Sequence, residues 1–422
     1  MFKKIDRNKL IFFGGLIGFY LIIQVLQIMG VVTSFLSTIL SMGTVLAIVS
    51  LGLNLIYGFN GQFSLGQWGF YAIGAYSAAD ITYRWSNNQD TSALLVLLFS
   101  VILVGAAIMV LYRTLSRLRG LDALSAFVIY LLATFGFVFL SIKIGGALTP
   151  ALNAGLAALP SWLSFTIVYI LAILIAGLVA AEISFLFGLP VLTLGSDYFG
   201  IATLGFSIIV KVLLDNSDTL LGFEEMKGAR GMIGIPKVDD WGWFAVFAFF
   251  MIVVVVTRNL LHSSFGRAII SVREDEIAAK AMGIDVGFYK TLTFVIGSLF
   301  AGLAGGLYAH VNAFLHPDTF NFIRSFDPLI VVVLGGLGSM TGTIFASYAY
   351  LLVVEWLLRQ ILPPGFENWR FVVFPVILLV MMLLKPNGLF GNFEMPFLRQ
   401  LLPPLKKKPA AAEAAAPQEA AQ

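Results

Sequence analysis

A series of uninterrupted apolar runs constrains this chain more than any other feature, because each is about 20 residues long, the length a helix needs to cross the hydrocarbon core of a bilayer. Runs at 10–30, 35–57, 66–83, 92–112 and 121–142 occupy the first third, and others follow at 161–187, 189–214, 241–257, 291–313, 327–360 and 366–385. Of the 422 residues 59% are hydrophobic and 12% charged, with a mean hydropathy of +0.93, against about 25% charged in soluble domains. A soluble core cannot hide that much apolar surface, whereas a bilayer solvates it. Cytosolic enzymes, secreted domains and nucleic-acid binders are therefore excluded. The runs are continuous rather than alternating, which excludes a β-barrel as well. The chain reads as an all-α polytopic membrane protein of about ten to eleven transmembrane helices.

Basic residues set the expected orientation. Lys3, Lys4, Arg7 and Lys9 precede the first run, Arg113, Arg117 and Arg119 lie between two others, Arg258, Arg267 and Arg273 begin a polar loop, and Lys406, Lys407 and Lys408 lie near the end. The positive-inside rule puts all four groups in the cytoplasm, so both termini are cytoplasmic. The first run is either a signal peptide or an anchor; its length and the lack of a small-x-small cleavage site favour an anchor. Parity of crossings is satisfied between the first three basic groups. Between the third and fourth it holds only if 327–360 counts as two half-spans or none, and that run contains Gly335-Gly336-Leu337-Gly338. Glycines at mid-membrane signal a broken or re-entrant helix there, with Gly335, Gly336 and Gly338 as its hinge. The last residues, 403–422, are rich in proline, alanine and lysine and read as a disordered tail lying against anionic headgroups.

Most families of chemistry leave no trace. There is no cysteine, and the histidines, His262, His310 and His316, are not spaced to share a metal. No phosphate-binding loop of the Walker type occurs, since the glycine cluster lacks its lysine, and neither H-E-x-x-H nor G-x-S-x-G is present. The chain is predicted to bind no cofactor itself and to hydrolyse no nucleotide alone.

Polar character concentrates in the loop 258–290. Its segment Arg273-Glu274-Asp275-Glu276-Ile277-Ala278-Ala279-Lys280-Ala281-Met282-Gly283 suits a short helix, acidic at its start and ended by Gly283. Ala278, Ala279 and Ala281 then offer a small-residue surface to another protein, or the segment is simply a solvated linker. A second polar set, Asn54, Asn60, Gln62, Ser64 and Gln67, is interspersed with Gly58, Gly61 and Gly66. It either lines a substrate pathway along unwound backbone or joins helices by hydrogen bonds, since both uses leave the same pattern. Asp197 caps the helix that follows it or faces that pathway. In run 291–313, Ser298, Gly302 and Gly306 form one small face and Ala301, Gly305 and Ala309 another, as in a bundle core. The loop from Asp215 to Asp240, with Glu224, Glu225, Lys227, Arg230 and Lys237, is solvated or meets a partner's charged rim.

The series Glu276, Ala278, Ala279 and Gly283 resembles the coupling loop of bacterial ABC-importer permeases, and Ile277 between the glutamate and the alanines resembles the branched-chain amino acid subfamily. Further blocks are similar to that family, in its order: Leu51 to Gln67 with Gly74-Ala75-Tyr76, Gly195-Ser196-Asp197-Tyr198-Phe199 with Thr203-Leu204-Gly205-Phe206, Gly335 to Ser339 with Gly342, and Lys385 to Gly391. The nearer resemblance is to its LivM-type subunit. It implies a type II ABC-importer permease-like bundle in the bacterial cytoplasmic (inner) membrane. It also implies a heterodimer with a LivH-like second permease, two cytoplasmic ABC ATPases that hold ATP and Mg, and a periplasmic or extracellular substrate-binding protein. Gln67 stands where the family usually has histidine, so no titrating imidazole is expected there.

The resemblance divides the chain into an anchor helix (1–33), a first permease block (34–84), an inserted helical pair (85–160), a permease core (161–402) carrying the coupling loop, and the tail. Branched-chain or related hydrophobic amino acids are the implied substrates, with urea and short amides as the alternative. An ion-coupled secondary transporter is the competing class. It is disfavoured because Asp80, Glu182 and Glu355 fall near predicted span ends. A channel or a membrane scaffold is a third class.

Overall fold

The apolar runs fold as helices in the computed structural model, which describes residues 7–30, 33–115, 123–192, 196–219, 224–238 and 242–361, together with 376, 379–380, 382–385, 388–391 and 394–395. The order is α1 (Arg7–Ile28), α2 (Ser34–Leu53), α3 (Gln67–Asn88), α4 (Ser92–Leu115), α5 (Ala123–Ala157), α6 (Ser161–Val191), α7 (Ser196–Asp215), α8 (Gly242–His262), α9 (Ser264–Glu274), α10 (Glu276–Ala281), α11 (Val286–Asn312), α12 (Phe326–Gly335), α13 (Met340–Leu351) and α14 (Leu358–Ile361). Two π-helical stretches extend α2 over Asn54–Phe59 and α13 over Leu352–Leu357. Among the described residues eight helices are long and apolar enough to cross a membrane. The chain is a multi-pass membrane protein.

The fit to the predicted runs is uneven for physical reasons. Run 66–83 becomes α3, 22 residues long yet absent from the eight. It carries Asp80 and Arg84 and is sheathed by neighbouring helices, so its length never has to be apolar. Run 121–142 is the start of a longer helix, α5, which continues through Pro150 to Ala157. Run 327–360 does break, but unequally: α12 is a 10-residue half-helix, whereas Met340–Leu357 alone is long enough to cross. The run 366–385 and the tail lie almost wholly or wholly outside the described residues.

α11 is the axis of the bundle and packs against α2, α3 and α6. Its two small faces make this possible. Gly302 sits against Ala176, Gly177 and Ala180 of α6, Gly305 against the Tyr71 carbonyl and the Ala75 amide of α3, and Gly297 against Gly52 of α2. Without a hydrophobic drive between helices inside lipid, such close backbone approach is what holds a bundle together. α4 and α5 pack on one another and on α6. In their span windows 22% and 17% of residues are buried, against 72% for α11, so the pair lies at the periphery.

At the end of α11 away from α10, the segment 224–238 is structured. β1 (Met232–Ile233) pairs antiparallel with β2 (Phe314–Leu315), just after α11. Arg84 of α3 bridges Asp80 at 2.9 Å and Glu225 at 3.4 Å, and Lys211 of α7 bridges Asp318 at 3.0 Å. The donating Lys211 ammonium holds the Asp318 carboxyl below its ordinary value. This loop is therefore tied to α3 through Glu225 and to the segment after α11 through β1.

Candidate functional site at the helix break

The break between α12 and α13 forms because Gly336 and Gly338 adopt φ of 114° and 80°, conformations closed to most side chains. Gly335 and Gly342 bring the two pieces into backbone contact, where a Cβ on either would overlap the other's carbonyl. Breaking a helix frees backbone groups that must be satisfied inside the protein. The end of α12 is satisfied by Leu389, whose N–H donates to the Leu334 carbonyl at 2.8 Å, and by Phe390, which donates to Gly335 at 3.4 Å. The start of α13 is capped by Ser339, whose Oγ accepts from the Gly342 amide at 3.0 Å, and by the Glu394 carboxylate, which accepts from the Met340 and Thr341 amides. A carboxylate also complements the positive end of the helix dipole.

Asn54 closes the arrangement. It begins the π-helical end of α2, a local widening often found at functional sites. Its Nδ2 donates to the Ser339 carbonyl and to Thr343 Oγ1, both at 2.9 Å, and its Oδ1 accepts from the Gly338 amide at 2.9 Å. The side chain is fully buried. Its amide therefore ties α2 to the turn after the break and to the start of α13, the helix-joining use of a polar residue. One turn on, Gly58 has no room for a Cβ between Asn54 and the Gly338 amide.

The remaining polar residues of this segment divide between two roles. Asn60 donates to Thr293 Oγ1 of α11 at 2.9 Å and, with Gln62, lines a cavity of about 200 Å³ that Arg273, Asp275, Glu276 and Lys290 also border. Ser64 Oγ accepts from the Gly66 amide. The loop backbone is held on α7, where the Leu65 amide donates to Thr203 Oγ1 at 3.0 Å and Ser207 Oγ donates to the Leu65 carbonyl. Gln67 is buried at the start of α3, and neither atom of its amide has a hydrogen-bond partner among the described residues. Asp197 lies in the first turn of α7; its side chain is outside the described residues.

The loop 258–290 contains α9, α10 and the start of α11. Asp275 caps α10, accepting from the Ile277 and Ala278 amides at 2.9 Å, and Glu276 pairs with Lys290 at 2.7 Å. Gly283, φ 82°, follows the helix. Ala279 does not belong to the outer surface: it is buried against Val272 and Val286. That contact seats α10, leaving Ala278 and Ala281 exposed with Ile277 and Met282, each 83% exposed.

Arg273 joins the two regions. From the last turn of α9 its Nη1 donates to the carbonyl of Gly58 and reaches Gly338. The sequence marks Arg273 only as a topogenic charge, and nothing local to Glu394 signals its cap. Both roles arise from contacts between residues far apart along the chain. Glu182, placed near a span end by its sequence, lies inside α6, close to Gly105 of α4. It is on the side of the peripheral pair rather than at the break.

The sequence is similar to those of known proteins. A family model described as branched-chain amino acid transport system / permease component matches residues 35–383. The high-affinity branched-chain amino acid transport system permease protein LivM of Escherichia coli K12 is 35% identical over 271 residues, covering 57% of this chain and 59% of that protein. A probable LivM of Methanocaldococcus jannaschii is 29% identical over 262 residues, covering 57% and 72%. LivH of Salmonella typhimurium is 30% identical over 146 residues, covering 35% and 46%. The chain thus spans about three fifths of the length of the first of these relatives. No solved structure matches it.

Proposed function

Since the chain belongs to the family of branched-chain amino acid transport system permease components, we propose that it is the LivM-type membrane subunit of an ATP-driven importer of branched-chain or related hydrophobic amino acids. A LivH-like permease completes a heterodimer in the cytoplasmic membrane. Two cytoplasmic ATPases supply ATP and Mg, and a substrate-binding protein delivers the solute from outside. The type II bundle is then completed to about ten or eleven spans by α1, α3 and the run 366–385. The inserted pair α4–α5 stays peripheral. Both termini and the α9–α10 end face the cytoplasm, as their basic residues favour.

The observation that carries this reading is the connection from α10 to the helix break. α10 presents bare apolar residues at the surface and is continuous through α9 with Arg273, which grips the π-helical turn held against the break by Asn54. Closure of the ATPases around α10 would push on α9. Arg273 would carry that displacement to Gly58 and Gly338, and the two pieces of the broken helix would shift between outward-open and inward-open states.

Two variants separate docking from transmission. Gly283 has no neighbour within 4 Å of a built Cβ, but its φ is 82°, so Gly283→Trp distorts the docking loop without a clash inside the bundle. It is expected to lose the ATPases on co-purification while the permease remains folded, and Ile277→Asp should do the same. Normal assembly and transport in both would defeat the assignment of α10. Arg273→Ala, in contrast, should keep the ATPases bound and hydrolysing while ATP-driven uptake falls by about tenfold or more. Unchanged uptake would remove Arg273 from the path.

Urea and short amides remain the alternative substrates within the same family. Ion coupling is less well supported, because the matching family is one of branched-chain amino acid transport system permease components.

A further inference from the structure

A cavity of about 330 Å³ lies between α2, the far end of α11 and both pieces of the broken helix. Its size is within the range of about 300–1,000 Å³ seen for small-molecule sites. One wall, from α2, is aliphatic and includes Ile39, Met42 and Leu46. The cavity's charged lining residues are Arg324, just before α12, Asp327 in the first turn of α12, and Glu355 in the π-helical extension of α13. Ionisable side chains inside a membrane protein are costly and mark functional positions more often than not.

Arg324 meets Asp327 at 3.4 Å, so a cationic and an anionic group stand side by side in the lining. Asp327 is oriented by Tyr350, whose hydroxyl donates to it at 2.8 Å. The lining thus offers a guanidinium suited to a carboxylate and carboxylates suited to an ammonium group.

Resting on the importer reading above, we infer that this cavity is the membrane-embedded seat of the transported solute, an α-amino acid zwitterion with a branched aliphatic side chain. The carboxylate goes to Arg324, the ammonium to Asp327 and Glu355, and the side chain to Ile39, Met42 and Leu46. Urea and simple amides have neither the charges nor the apolar body to satisfy these walls. Because charged residues come from both α12 and α13, a shift at the break separates or joins the groups that hold the solute. The seat and the coupling path therefore share one moving part.

The test uses the complete complex, with its binding protein, in proteoliposomes, and measures ATP-driven uptake of leucine, alanine, phenylalanine and urea. Met42 is half-buried on the cavity wall. Met42→Trp should lower leucine uptake relative to alanine by about tenfold, and Met42→Ala should raise phenylalanine relative to leucine. Arg324→Gln should reduce uptake of all three amino acids by about tenfold or more in an assembled complex. An unchanged selectivity profile in both Met42 variants, or full uptake in Arg324→Gln, overturns the seat while leaving the importer reading intact. A wild-type complex that takes up no amino acid on addition of ATP overturns the importer reading and the seat with it. Uptake of urea in preference to leucine by the wild type overturns the assignment of the solute.

Discussion

Gly305→Val is expected to leave no properly folded permease in the membrane. Residue 305 is where α11 crosses α3, and a built Cβ overlaps the Tyr71 carbonyl oxygen and comes within 2.8 Å of the Ala75 amide. These atoms are backbone, so no side-chain rotation relieves the overlap. α3 cannot retreat either, because it also packs against α6, and α6 in turn meets α11 at Gly302. Inserting extra methylenes into a packed core typically costs about 1–3 kcal/mol. Here whole helices must separate, and the cost should exceed that range. Fluorescence-detected size-exclusion of the detergent extract should show aggregate in place of the wild-type peak. Gly287→Ala, where the Cβ meets only Asp285, the residue that caps the same helix, at 3.5 Å, is the matched control and should behave as wild type. A monodisperse Gly305→Val with unaltered thermal stability would show that α11 is not the packing axis.

Asn54→Leu should act differently, abolishing transport while sparing assembly. Leucine is nearly the same shape, so the bundle can close around it. The Ser339 carbonyl still accepts from Thr343 Oγ1 at 2.8 Å. The half-buried Gly338 amide, however, loses its acceptor, at a cost of no more than the ~1–3 kcal/mol of a fully buried group. More important, the amide that ties the π-helical end of α2 to the turn after the break and to the start of α13 is lost. The expected result is an intact complex with ATPase activity and uptake reduced by about tenfold or more, since about 1.4 kcal/mol corresponds to a factor of ten. Loss of the complex itself would make Asn54 a packing residue only, and wild-type uptake would show that the clamp does not participate in gating.

Seen through these two residues, the membrane character and the chief polar segments were legible in the sequence because each depends on local pattern. Apolar runs of span length report the bilayer, and glycines spaced four apart in 291–313 report close helix contacts whatever the partner. The glycine cluster at 335–338 reports a break because its backbone angles are local. The acid–alanine–glycine order of α10 likewise yields a capped helix from neighbouring residues alone.

Other properties were decided only by the tertiary structure. Asn54 was equally compatible with lining a pathway and joining helices, and its role depends on three groups nearly 300 residues away that folding brings within 2.9 Å. Arg273, legible as a topogenic charge, becomes a connector because α9 ends beside Gly58. Ala279, expected on the outer surface of α10, is buried because α10 needs one face seated against Val272 and Val286. α3, which contains the apolar run 66–83, carries Asp80 and Arg84 because other helices surround it, so the protein rather than the lipid solvates its polar residues. The physical reason is the same throughout. Bilayer insertion, capping and backbone breaks depend on the composition of adjacent residues, whereas hydrogen-bond partners and cavity walls depend on which distant segments meet, and the order of residues along one chain does not encode those meetings locally.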